Sequence, residues 1–444
     1  MSSKIIFSKS FFINLIILLI PINFILGNLL LNLNVIILIT LALFFYGLDI
    51  FKIKFDNIDR LILIFFLYLF INGIVNNYLV REDDFIQDTI LIKTLAYSRY
   101  LLLYFVVRFL VIREIINFKY LFFFYGFAAL FVSVDIIIQY IFGVDLFGYK
   151  AKQTELGVER RLSGPFGDEY VAGSYIQRFF IFFPYFLIIF SKFKNINFYR
   201  FVLFLVLFLF MLGTLLSGNR VPLVMFFLML TLIFVFERSL RKPLFLAFII
   251  SFFSIFYLMK TNENFNVHLK QLVKGGNEIV SYFEKKVSSK ELTKHANNYV
   301  KEFETGFLTW EKNKYFGGGV KSFYFNCKTI KNPIMDRHGG TNCNTHPHNY
   351  FLEIGAILGL LGFFLIMLII FSISYYFIKA LFFSKVPSNQ SGLLIAFFII
   401  FITEIFPLKT TGSFFSSSNS TFIFFIIGYI IGLLNLERKS NIEK

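Results

Sequence analysis

Residues 198–236 read FYRFVLFLVLFLFMLGTLLSGNRVPLVMFFLMLTLIFVF, and this stretch decides the class of fold. Two long apolar runs are joined only by the tight polar turn Ser217-Gly218-Asn219-Arg220. A helix that crosses a bilayer needs about 20 predominantly apolar residues. The runs beginning near Phe198 and Arg220 are of that order, so the stretch reads as a membrane hairpin. Working outward, comparable runs begin near Phe11, Val35, Leu61, Thr89, Phe118 and Val171 before it, and near Pro243, Tyr350, Ser391 and Phe414 after it. The expectation is an all-α polytopic membrane protein with about 12 transmembrane helices.

Composition agrees. Of 444 residues, 57% are hydrophobic and 16% charged, against about a quarter charged in ordinary soluble domains. A soluble enzyme, a secreted disulfide scaffold and a disordered chain are thereby set aside. The 67 Phe beside a single Trp resemble codon drift in an AT-rich genome, so individual Phe residues carry little information.

The runs divide the chain. Residues 1–142 hold the first five spans, 143–170 a first outer segment, and 171–259 spans six to nine. Residues 260–348 form a large loop, helical in character from about Val267 to Glu304 and glycine-rich at Gly317, Gly318 and Gly319. Residues 349–444 hold the last three spans. The first run lacks a small-residue cleavage site and reads as a retained span.

A net charge of +16 raises the question of a nucleic-acid partner, which the position of the charges answers. Lys52, Lys54, Arg60, Arg113, Lys119, Lys192, Lys194, Arg200, Arg238, Arg241, Lys242, Lys379 and Lys385 fall in alternate short loops. The intervening loop near Arg81 carries Glu82, Asp83, Asp84 and Asp88 instead. This is the positive-inside pattern, not a nucleic-acid stripe. It predicts cytoplasmic termini and places both longer segments outside. The two cysteines, Cys327 and Cys343, share the large outer loop, where an oxidising compartment favours a disulfide. Two free thiols are the alternative.

The residues with chemical potential gather at that outer boundary. Thr345-His346-Pro347-His348-Asn349-Tyr350-Phe351-Leu352-Glu353 runs from the loop into a span. Pro347 restricts the backbone and Asn349 can cap the new helix. An imidazole at a helix N-terminus stays neutral at pH 7 and can take a proton from a sugar hydroxyl. An interfacial His that serves only the cap fits these residues equally well. Gly355, Gly359 and Gly362 share a helical face and favour close helix contact. Arg161, followed by Leu162-Ser163-Gly164, and Arg220 sit in outward turns, where a guanidinium fork suits a phosphate. Snorkelling to ordinary headgroups is the plainer reading of each alone. Arg99 lies inside the fourth span, where an unpaired charge is costly, so a buried pair competes there with substrate contact. Lys409, with the hydroxyl-rich loop Thr410 to Ser418, lines either a sugar site or a solvated turn. No nucleotide-binding glycine pattern or metal-ligand cluster is present in the sequence, so no cofactor and no metal are expected.

His348-Asn349 followed by Gly359 and Gly362 resembles the signature of the O-antigen ligase and polymerase superfamily, polytopic glycosyltransferases of the outer leaflet. Arg161 with Ser163-Gly164, the turn Ser217–Arg220, and the run from Trp310 to Gly319 resemble further family motifs, in the same order. The resemblance implies transfer of a glycan from undecaprenyl diphosphate at the periplasmic face of the bacterial inner membrane, without nucleotide or metal. The acceptor would be a lipid A-core sugar in a ligase, or a second lipid-linked glycan in a polymerase. His348 would be the general base, with His346 as a spare candidate. Arg161 and Arg220 would hold the diphosphate, and His346, Asn349, Arg99 and Lys409 are further candidates for lining the substrate. The short first and long second outer segments favour a ligase. A protein O-oligosaccharyltransferase and a transporter or flippase are the remaining alternatives.

Overall fold

The computed structural model describes residues 8–79, 84–151, 161–191, 193–261, 298–330, 343–383 and 388–442, with Asn266, Lys270, Val273, Lys274 and Asn277. The helix expected over Val267–Glu304 is continuous there only from Asn298. The remainder of that stretch, with Arg81–Asp83 and Lys192, lies largely outside the described residues. The fold is all-α and polytopic. Among the described residues, ten helical segments are long and apolar enough to cross a membrane, and Arg220–Phe236 and Gln390–Glu404 are shorter apolar helices.

The elements in chain order are α1 (Lys9–Leu18), α2 (Ile20–Leu26), α3 (Asn28–Tyr46), α4 (Asn57–Leu79), α5 (Asp84–Tyr97), α6 (Arg99–Ile112) and α7 (Phe118–Phe142). They continue as α8 (Ala172–Phe179), α9 (Phe182–Phe190), α10 (Ile196–Leu216), α11 (Arg220–Phe236) and α12 (Arg241–Thr261). In the large loop lie α13 (Asn298–Lys312) and α14 (Phe323–Lys328), before α15 (Tyr350–Phe383), α16 (Ser388–Glu404) and α17 (Ser417–Ile442).

The second span begins at Asn28, earlier than the expected start near Val35. Asn28, Asn32 and Asn34 precede the expected start, and each side chain has a use inside the bundle. Asn28 lines a cavity, Asn32 accepts from Arg99, and Asn34 donates to the Ile16 carbonyl. The preceding chain turns at Gly27, φ 105°.

The last helix, α17, is the central post of the bundle and its most enclosed span, whereas α1 and α2 face largely outward. It meets α6 closely. A Cβ on Gly428 would sit 2.9 Å from the Val107 Cβ, and one on Gly432 would sit 2.5 Å from the Val111 Cβ. Small residues let two backbones approach where lipid offers no hydrophobic drive.

Helix α15 is broken at Gly359, whose φ of 64° and ψ of −165° are not helical. The glycine run of the large loop inserts there. Gly318 N–H donates to Ala356 O at 3.0 Å, Gly319 N–H to Ile357 O at 2.9 Å, and Leu360 N–H to Lys314 O at 2.9 Å. The Tyr68 hydroxyl adds a bond of 2.7 Å to Leu358 O. A backbone break within a span is tolerated when neighbouring chain satisfies the freed groups. Gly355 supplies the expected close contact, since its Cβ would lie 2.4 Å from the Trp310 ring. Gly359 permits the break and also lets the loop approach, since its Cβ would lie 2.3 Å from Tyr315 O.

Candidate active-site cavity

The helices run so that the turns at Gly27, Ser217 and His348 and the stretches 161–171 and 410–419 gather at one end of the bundle. There they enclose a cavity of about 810 Å³. Arg113, Lys119, Lys194, Arg200, Arg238 and Arg241 lie at the opposite ends of their helices.

Arg161 and Arg220 both line the cavity, and local backbone bonds explain why. Leu162 N–H donates to Ser217 O at 3.3 Å, which ties the Arg161 segment to the turn before Arg220. Gly164, φ 53°, donates its N–H to Gln139 Oε1 at 2.9 Å, anchoring the same segment on α7. In α8, a Cβ on Gly173 would fall 2.5 Å from Ser217 Oγ, so α8 presses against the turn from its other side.

His348 lines the cavity from the turn just before the Asn349 cap of α15, with a positive φ of 52°. Asn349 is the helix cap. Its Oδ1 accepts from Phe351 N–H and Leu352 N–H at 3.0 and 3.1 Å, and its Nδ2 donates to Pro407 O at 2.7 Å. The side chain is buried and fixes the entry of the helix; it is not among the residues lining the cavity. Glu353, one turn on, accepts from Ser413 Oγ and Phe414 N–H, both at 2.6 Å. The hydroxyl-rich loop is therefore held against the histidine turn, and Thr410, Thr411, Ser413 and Ser416 line the cavity.

Burial lowers the His348 pKa below its ordinary value, so the imidazole is neutral at pH 7. His346 stands 4.3 Å away, ring to ring. Its pKa falls to about 4, through burial first and then through His348 and Lys321. Glu302 of α13 brings Oε1 to 3.8 Å from His348 Nε2 and accepts from Asn344 Nδ2 at 2.7 Å. Burial raises the Glu302 carboxyl to about 7. With the imidazole neutral, this approach is not an ion pair at pH 7. It becomes one if His348 takes up a proton while Glu302 is ionised.

Three lining residues, Arg178, Glu302 and Lys321, were not singled out from the sequence. Arg178 carried the same signal as Arg99, a guanidinium inside an apolar run. Glu302 and Lys321 carried none, because charged residues in a long polar loop are ordinary. Arg178 Nη2 and Nε bind Glu404 at 2.6 and 3.1 Å, and its guanidinium stands over the rings of Phe422 and Phe24.

Lys409 does not line the cavity. Its Nζ lies 2.7 Å from Glu404 Oε1 and is buried, because two cations and the Tyr350 hydroxyl, at 2.8 Å, converge on one buried carboxylate. Arg99 also lies outside this cavity. It bonds Ala96 O, Asn32 Oδ1, the Tyr100 hydroxyl and Ser417 Oγ, and lines a smaller cavity nearby. Cys327 and Cys343 are disulfide-bonded, with Cα atoms 5.8 Å apart. Cys327 rests on Ala356 and Trp310, so the bond holds the end of the large loop against α15. Among the described residues, no group of three His, Cys, Asp or Glu is arranged to hold a metal ion.

Residues 203–367 match the family model described as O-antigen ligase. The match runs from α10 through the Arg220 turn, the large loop, His348 and the break at Gly359. A comparison with curated proteins returned no match.

Proposed function

We propose, from the membership of residues 203–367 in the O-antigen ligase superfamily, that this chain is a membrane glycosyltransferase with His348 at its reacting centre. The donor is a glycan linked to undecaprenyl diphosphate, and the acceptor is a sugar hydroxyl of lipid A-core. The observation that carries this reading is convergence. His348, Arg161 and Arg220 come from distant parts of the sequence and line one cavity. The positive-inside rule assigns the basic helix ends to the cytoplasm, which makes the cavity end periplasmic in the inner membrane.

Neutral His348 takes the proton of the acceptor hydroxyl as its oxygen forms a bond to the anomeric carbon. The bond from that carbon to the diphosphate oxygen breaks, and its electron pair leaves with undecaprenyl diphosphate. Arg161 and Arg220 offset the negative charge that grows on this leaving group, which is where preorganised cations lower a barrier most. Ionised Glu302 stabilises the imidazolium. Holding both lipids at one interface replaces a chance encounter with an oriented reaction.

Purified protein supplied with lipid-linked glycan and lipid A-core should form the joined product, and His348→Ala should nearly abolish it while remaining folded. Full activity in that variant overturns the base assignment. The second reading, a polymerase that joins lipid-linked repeat units, uses the same residues. The short first outer segment favours the ligase. A deletion strain separates the two. Bare core with stranded lipid-linked polymer marks a ligase, and core carrying a single repeat marks a polymerase.

A further inference from the structure

Beside the large cavity lies a second one of about 340 Å³, walled by α3, α5, the start of α6 and the start of α17. Its ionisable lining is one-sided. Lys93, Arg99 and Lys321 face it, and no Asp or Glu does among the described residues. We propose that this cavity is a second anion-binding site, which takes the phosphate of the lipid-linked acceptor molecule.

The state of Arg99 is the first argument. Its guanidinium bonds Ala96 O at 2.7 Å, Asn32 Oδ1 at 3.0 Å, the Tyr100 hydroxyl at 2.7 Å and Ser417 Oγ at 3.3 Å. All four partners are neutral. They orient the fork and leave its charge uncompensated. The contrast with other arginines of the bundle is direct, because Arg108 pairs with Asp59 and Arg178 with Glu404. An oriented but unneutralised guanidinium in a low-dielectric surround is costly without an anion. A phosphate supplies one with matching planar geometry.

The second argument is the mouth. Ile36 and Lys93 line the cavity and are also exposed. Around them Leu29 and Leu33 on α3, and Ile92 and Leu95 on α5, present bare apolar surface. A cationic pocket opening between apolar helix faces suits a molecule with a phosphorylated head and hydrocarbon chains. A small soluble anion would have no use for that surround.

The third argument is continuity. Lys321 lines both cavities, and its φ of 68° is a conformation that non-glycine residues seldom hold. The residue stands between the donor cavity and the basic pocket, so two anionic lipids can lie side by side with their sugars meeting near His348. The acceptor role rests on the transferase reading above; the phosphate site does not.

The test counts bound lipid. Full-length protein in detergent is titrated with diphosphoryl lipid A and with undecaprenyl diphosphate, each beside its dephosphorylated counterpart and beside phosphatidylglycerol, and is read by native mass spectrometry. Wild type should bind a second phosphorylated lipid that the dephosphorylated forms cannot replace. Lys93→Gln and Arg99→Gln should weaken that second binding at least about ten-fold, equal to about 1.4 kcal/mol, and leave the binding that depends on Arg220 intact. Lys93 is exposed, so its variant reports even if Arg99→Gln fails to fold. Lipid A in the second position identifies a lipid A-core acceptor, and undecaprenyl diphosphate in both positions identifies a second lipid-linked glycan. Equal binding of phosphatidylglycerol, or unchanged second binding in Lys93→Gln, overturns the site. His348→Ala should keep both lipids bound, so failure of the reaction and failure of the site are read separately.

Discussion

Among the described residues the bundle buries two ion networks, one near each end, and they serve different purposes. Away from the cavity, Arg108 Nη2 binds Asp59 Oδ2 at 2.9 Å with both side chains enclosed. The Tyr104 hydroxyl and Asp56 N–H donate to Asp59, and Arg108 Nη2 donates to the Lys54 carbonyl, while Arg108 Nε is buried without a partner among the described residues. One cation meets one anion, and the site is closed. At the cavity end, Glu404 meets both Arg178 and Lys409, so that network keeps an excess of positive charge. Arg178 also lines the cavity. A closed, neutral pair sets how helices meet. An open network with surplus charge is suited to a third, anionic partner. On the loop side Arg161, Arg220 and Lys321 line the same cavity, together with Glu169 and Glu302.

The largest expected effect lies at the open end. His348→Ala should lower turnover about 10³- to 10⁴-fold in an assay of product glycan, with the melting temperature nearly unchanged. Next comes the closed pair. Arg108→Ala leaves Asp59 as an uncompensated buried charge and should cost about 3–5 kcal/mol of stability, measured by thermal unfolding in detergent. Its surviving folded fraction should turn over at the wild-type rate. Slowed turnover in that folded fraction would break the contrast between the two ends. Arg161→Lys and Arg220→Lys should each reduce donor use about ten-fold, near 1.5 kcal/mol, the scale of one lost charge-assisted hydrogen bond. Stability should barely move.

The smallest expected effect sharpens the chemistry. The raised Glu302 carboxyl gives up its proton near pH 7, while His348 becomes neutral at a lower pH than a free imidazole. As pH falls, Glu302 therefore protonates before His348. The wild-type rate should drop first through about pH 7 and again below the usual imidazole range. Glu302→Gln should remove the upper step and cost about 1 kcal/mol, roughly five-fold, above it. An unchanged pH–rate profile in that variant would detach Glu302 from the histidine.

Much of the fold is legible in residues 198–236 alone, because a bilayer imposes a length and a polarity that local sequence must meet. Most of the legible part of the site follows from the same rule. Arg220 and His348 stand out because they sit where apolar sequence begins, and Arg161 because its polar outer segment resembles a family motif. The rule misleads where polarity has an internal use. Asn28, Asn32 and Asn34 lie before the start expected near Val35 and are helix. Lys409 reads as lining and is the counter-ion of Glu404, a partner that adjacency in the sequence does not reveal.

The sequence by itself determined the solvent of this protein, its helical class and the boundary at which its chemistry sits, since each depends on local composition. Only the tertiary structure decided which charges neutralise one another and which are left facing a cavity. Arg108 and Arg178 are alike in the sequence, each an arginine set within apolar residues. One is closed off by Asp59, and the other shares Glu404 with Lys409 and lines the cavity, because the fate of a buried charge is set by what folds against it.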